Sequence, residues 1–173
     1  MNESNEYNGW GLSDRYLEEA AEFPEWIPGR VILQHRNLYK VVTGRGELTA
    51  QVSGKLRHVS AAPPDFPAVG DFVLVDRDND REGYGTIHRI LSRRSAFIRK
   101  AAGKTGDSQV VAANIDTVFI CMALTRDFNL KRLERYLAIA WDSGAVPVVI
   151  LTKSDLHQDV SQQLRAVENA AIG

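Results

Sequence analysis

The chain has 173 residues, 44 % of them apolar and 25 % charged. These are the proportions of a soluble globular protein, with room for one ordinary domain or two small ones. No run approaches the ~20 apolar residues of a membrane span. The N-terminus lacks the basic start and apolar core of a secretion signal. The single cysteine, Cys121, can make no internal disulfide and sits in an apolar run, where a buried inert thiol is expected. The expected setting is reducing and cytoplasmic, without a membrane partner. The net charge of −1 conceals an asymmetry: residues 1–27 carry one base against seven acids, residues 28–106 fourteen against seven, and residues 107–173 six against eight. A basic middle third between acidic flanks suggests an anionic partner, with nucleic acid the first candidate and a merely solvated Arg-rich surface the plain alternative.

In chain order, residues 1–12 read as a loose polar tail. Ser13 is placed to cap a short helix reaching Phe23, with Tyr16, Leu17, Ala20 and Ala21 on one side and Pro24 and Pro28 as stops. From Gly29 the period shortens. Arg30–Gln34, Leu38–Thr43, Leu48–Ser53, Asp71–Asp76 and Thr86–Ser92 are rich in β-formers and separated by Gly, Asn and Pro signals. Five short strands with a basic bias point to an all-β barrel of the OB type, its long connection at His58–Pro67. Residues 93–109 read as a basic linker. Asp116–Leu124 is a continuous apolar run, as suits a strand buried on both faces. A helix from Asn129 to about Ser143, a second apolar strand at Val146–Leu151 and a last helix at about Val160–Ala171 complete a β-α-β-α pattern. Two strands are too few for a covered parallel sheet, so this α/β part is expected to be incomplete. The resulting division is a tail and short helix (1–28), a barrel (29–92), a linker (93–109) and the first part of an α/β domain (110–173).

The chemistry is concentrated in Thr152-Lys153-Ser154-Asp155, directly after the second apolar strand, where α/β sheets bind ligands. Guanine presents two adjacent donors, the ring N–H and the exocyclic amine, and one carboxylate can accept both. Adenine lacks that pair and would leave a carboxylate oxygen unmatched. Asp155 would read the base, Lys153 would lay its alkyl stem over the purine, and Thr152 would hold the loop. The competing reading is a helix cap at Ser154 or Asp155. Gly103-Lys104-Thr105 imitates the end of a phosphate-binding loop, but the first glycine of that motif would fall on Ile98, and a strand-like segment follows where a helix is required. Four scattered histidines and one cysteine make no zinc pattern, and no nucleophile elbow is present.

Arg93-Arg94-Ser95-x-Phe97-x-Arg99-Lys100, Gln109 through Asp116, Arg132 through Leu137, and Leu151-Thr152-Lys153-Ser154-Asp155-Leu156 together resemble the ribosome small-subunit-dependent GTPase A family. Gly29-Arg30-Val31 and Val69 through Val73 fit that family's N-terminal OB-fold, so the resemblance covers about residues 28–170. Members are circularly permuted GTPases, with the guanine motif ahead of the phosphate-binding loop and a zinc-binding domain behind. They bind the small ribosomal subunit, hydrolyse GTP with magnesium there, and act late in its maturation. The resemblance therefore implies an OB-fold barrel followed by an incomplete, permuted P-loop GTPase-like domain. It implies guanine contacts at Thr152, Lys153, Ser154 and Asp155, and barrel contacts to ribosomal RNA. From charge and turn position, the RNA candidates are Arg36, Arg45, Lys55 and Arg57, with Arg93, Arg94, Arg99 and Lys100 from the linker. The phosphate loop, magnesium motifs and zinc domain are expected to lie outside this stretch, leaving it inactive by itself. Two other readings stay open: a stand-alone OB-fold RNA-binding module, and an interaction scaffold docking through the acidic N-terminal helix.

Overall fold

The computed structural model describes residues 8–81, 83–100 and 108–171, and the chain divides into two units, 1–114 and 115–173. In the first unit, β1 (Ile27–His35), β2 (Leu38–Thr43), β3 (Gly46–Val52), β4 (Phe72–Val75) and β5 (Gly85–Ile90) close into a barrel in the order β1-β2-β3-β5-β4. Every pairing is antiparallel except β3 with β5, the arrangement expected of an OB barrel. Alternation makes the core: Tyr39 and Val41 of β2, Leu48 and Ala50 of β3, and Val73, Val75 and Ile87 point inward. Lys40 and Glu47 face outward across β2 and β3 as an ion pair. At Gly29 any side chain would meet Val41 Cγ1 at 2.5 Å, so β1 and β2 approach more closely than a Cβ allows. A short helix, α2 (Gly54–Val59), follows β3, capped by the Ser53 hydroxyl, which accepts from the Leu56 amide at 3.0 Å.

The acidic N-terminal helix, α1 (Asp14–Ala21), belongs to this unit and is not a separate docking arm. Leu12, Tyr16 and Ala20 are buried with Phe72, Leu74 and Leu91. Residues 8–12, expected as a loose tail, form a 3-10 turn and a packed segment, with Trp10 6.2 Å from the Phe72 ring and Leu12 buried. Residues 1–7 of the expected tail lie outside the described residues. The linker reading is also corrected. β6 (Ala96–Lys100) and β7 (Ser108–Ala113) pair antiparallel, and a bridge between Val69 and Ala112 ties them to the barrel. The local composition concealed this, because the buried contact among the described residues is small: Val110 and Ala113 of β7 against Ala68, with Ala96 packed beside them. Gly70, at φ +91°, passes so close that a Cβ would sit 2.0 Å from the Ala113 carbonyl oxygen.

In the second unit, β8 (Thr117–Ala123) and β9 (Val146–Thr152) pair in parallel, and α3 (Leu130–Asp142) and α4 (Ser161–Ala170) complete β-α-β-α. Asn129 caps α3, its side-chain oxygen accepting from the Arg132 amide at 3.0 Å, and Gly144 at φ +82° lies just beyond its end. β8 is covered on one face only: Ile120 and Met122 are buried while Phe119 and Cys121 are exposed. The expectations of a doubly buried strand and an inert buried Cys121 are therefore not met. Strict alternation along one covered face puts the thiol on the other.

Candidate functional site

Thr152 ends β9, and its carbonyl accepts from the Leu124 amide at 2.9 Å. The strand stops because Lys153 adopts the left-handed conformation, φ 60° and ψ 33°, which reverses the chain into a 3-10 turn over Ser154–Leu156. A non-glycine residue held there stores on the order of 1–3 kcal/mol, strain that characteristically collects in ligand-binding loops. Within the turn, the Leu156 amide donates to the Lys153 carbonyl at 3.2 Å and the His157 amide to Ser154 at 3.1 Å. The next helix is served by Asp159, whose carboxylate accepts from the Ser161 amide at 2.8 Å and from its hydroxyl. Those two bonds hold the Asp159 carboxyl below the ordinary aspartate range, the hydroxyl contact contributing most. The Leu156 and His157 amides are thus met by backbone, and the first amide of α4 by Asp159. Among the described residues no hydrogen bond reaches the Asp155 carboxylate, which is exposed at the carboxyl end of the sheet. The four residues read from sequence stand on one turn, and capping is not what Asp155 does.

One residue that sequence reasoning passed over contacts this loop. His157, noted only as one of four scattered histidines, places ring Nε2 on the main-chain carbonyl of Leu124 at the end of β8. No spacing rule predicts a contact between residues 33 apart in the chain.

The basic candidates separate into groups. Arg36 stands in the β1–β2 turn at φ 55° and is exposed, as are Lys55 and Arg57 on α2 and Arg99 on β6. Arg45 is largely exposed and loosely paired with Asp78 at 3.3 Å. Arg94 is exposed, with its main-chain amide donating to the Asn114 side chain at 2.8 Å. The Lys100 side chain lies outside the described residues, as does Gly103-Lys104-Thr105. Arg93 departs from expectation. Its guanidinium donates to both Asp71 carboxylate oxygens at 2.8 and 2.7 Å, to the Pro64 carbonyl at 2.6 Å and to the Phe66 carbonyl at 2.8 Å. Asp71 is fully buried, so Arg93 is an internal clamp whose donors are already engaged. Arg30, unmarked in the sequence beyond its place in β1, holds a similar post, donating to the Trp10, Gly70 and Asn114 carbonyls and lying over the Phe72 ring.

Base stacking on the barrel would need exposed aromatic rings; Tyr39 and Phe72 are core, whereas Tyr84 is exposed. Asp80-Arg81-Glu82-Gly83 has the Asp-x-x-Gly spacing of a magnesium motif, but it lies in the β4–β5 loop, where Asp80 accepts from the Thr49 amide at 2.6 Å. Among the described residues no group of three His, Cys, Asp or Glu side chains could hold a metal ion, and no helix is long and apolar enough to cross a membrane.

The chain is similar to known proteins in sequence and in fold. The RsgA GTPase family model matches residues 90–173. The small ribosomal subunit biogenesis GTPase RsgA 2 of Lactiplantibacillus plantarum is 50 % identical over 164 residues, covering 95 % of this chain and 46 % of that protein. Among solved structures, YjeQ from Thermotoga maritima superposes with a TM-score of 0.57 at 22 % identity, over 83 % of this chain and 46 % of that one. YloQ, described as a circularly permuted GTPase, superposes with a TM-score of 0.56 at 19 % identity, over 84 % of this chain and 47 % of that one. The chain thus spans somewhat under half the length of the relatives it matches. In sequence the chain matches the RsgA GTPase family, and its barrel and α/β units share the fold of the YjeQ and YloQ structures.

Proposed function

We propose that this chain supplies the RNA-facing barrel and the guanine-reading loop of a cytoplasmic GTPase that binds the small ribosomal subunit and assists its late maturation. GTP hydrolysis would belong to the longer protein. The observation that carries the reading is the exposed, unbonded carboxylate of Asp155 on a strained turn at the carboxyl end of β9. The name of its Lactiplantibacillus relative supports the partner and the nucleotide. Asp155 would accept from the two N–H donors of guanine, Lys153 would cover the purine face, and Thr152 and Ser154 would frame the turn. GTP or GDP with magnesium is the ligand this fits. These residues meet the base, while magnesium and the zinc of the family's C-terminal domain have no donor set among the described residues, so no step is assigned to either. On the barrel, Arg36, Arg45, Lys55, Arg57, Arg94 and Arg99, with Lys100, would contact RNA phosphates, each adding at most about one unit to the salt slope. Arg93 would act indirectly, by holding the barrel wall.

The decisive experiment is base exchange at Asp155. Xanthine replaces guanine's exocyclic amine with a carbonyl, which a carboxylate repels and an amide can serve. Asp155→Asn should move the chain's preference from guanosine to xanthosine monophosphate, by roughly tenfold in each direction for one mismatched pair. An unchanged preference would remove Asp155 from the base site. The reading of the barrel as a stand-alone RNA-binding module would gain if the chain bound single-stranded RNA but showed no base preference at all.

A further inference from the structure

We propose that His157, outside the guanine motif itself, is a positioning residue that fixes the guanine loop in its base-reading orientation; this rests on the guanine role of Asp155. A carboxylate pairing with two N–H groups is directional, so the turn must be held at an angle as well as placed. The two hydrogen bonds inside the turn set its shape and leave its direction relative to the strands free. Residues 153–159 are exposed throughout, so packing supplies little restraint. Direction comes from Leu124, itself buried at 2 % exposure. Its amide donates to the Thr152 carbonyl at 2.9 Å, fixing the start of the loop. Its carbonyl receives the His157 ring Nε2–H, fixing the end. Both ends of the loop are thereby fastened to one immobile residue, and Asp155 stands between them. Among the described residues, the His157 contact is the one side-chain hydrogen bond joining residues 153–158 to the rest of the unit. Because a carbonyl can only accept, Nε2 carries the proton in this contact.

Pre-organisation of this kind appears chiefly in affinity for the matched base. The test uses the chain with His157→Ala and His157→Gln, the glutamine amide nitrogen being able to reach the place of Nε2. Each protein is titrated with guanosine and adenosine monophosphate while the backbone amide NMR signals of residues 151–157 are followed. Loss of one such bond should weaken guanosine monophosphate binding about three- to tenfold in His157→Ala and leave the adenosine nucleotide unaffected, while the unpartnered Leu124 carbonyl lowers the melting temperature only slightly. His157→Gln should return to within about twofold of the parent. Parent-like guanosine affinity in His157→Ala, or failure of glutamine to restore it, overturns the proposal. A parent chain indifferent between the two nucleotides instead refutes the guanine reading, and the positioning role with it.

Discussion

In the barrel unit each of the five strands has a neighbour on both sides, whereas among the described residues β8 and β9 pair only with each other. Closure lets the barrel satisfy its own edges and bury a complete core, from Val31 through Ile87. The α/β unit buries one face with Leu133, Leu137 and Ala140 of α3 and leaves Phe119, Val146 and Val148 exposed on its strands. The difference teaches where precision comes from in each. The barrel wall is stiffened by buried polar clamps such as Arg93 with Asp71. The turn after β9 is held by hydrogen bonds to Leu124, just beyond β8.

The contrast is most severely tested at Arg93. Removing its side chain leaves the fully buried Asp71 carboxylate uncompensated, and breaking such a pair costs about 3–5 kcal/mol. Arg93→Ala, in a Trp141→Phe background where Trp10 and Trp26 report on the barrel, should lower the urea midpoint accordingly. A loss below about 1 kcal/mol would mean that the clamp does not stiffen the wall. In the other unit, Leu133 is 1 % exposed on α3, and truncation to alanine should cost about 2–4 kcal/mol. Followed by Trp141 fluorescence, that loss should leave the Trp10 and Trp26 transition where it was; a shared shift would show that the units unfold as one.

The smallest effect is a pH dependence confined to the barrel. Burial pushes the Asp76 carboxyl upward, but the Thr86 amide at 2.7 Å and the Arg77 guanidinium at 3.2 Å outweigh it, and the net direction is down. A lowered folded pKa stabilises above the ordinary carboxylate range and is lost as pH falls through the folded value. Asp76→Asn should therefore cost about 1 kcal/mol or less near neutral pH, with the gap closing in acid; a gap that persists in acid would assign the effect to packing.

Much of this was legible in the chain. The five barrel strands were placed within a few residues because alternation and turn residues are local signals. Asn129 and Gly144 marked the ends of α3 for the same reason. The turn proposed to read guanine was legible as a unit because Thr152 through Asp155 are consecutive residues. The β6–β7 ribbon was not, since the basic, glycine-containing stretch around it masks a pairing whose anchor is Val69, more than forty residues upstream of Ala112. Arg93 looked like any other basic residue beside Arg94, and only the position of Asp71 turned it inward.

From sequence alone came the periods, the turn positions, the charge asymmetry and the Thr152–Asp155 motif, all of which depend on residues a few places apart. Tertiary structure decided which arginine is a clamp, which face of β8 carries Cys121, and which histidine fastens the loop. Those outcomes depend on contacts between residues far apart in the chain, and such contacts exist only once the backbone has closed.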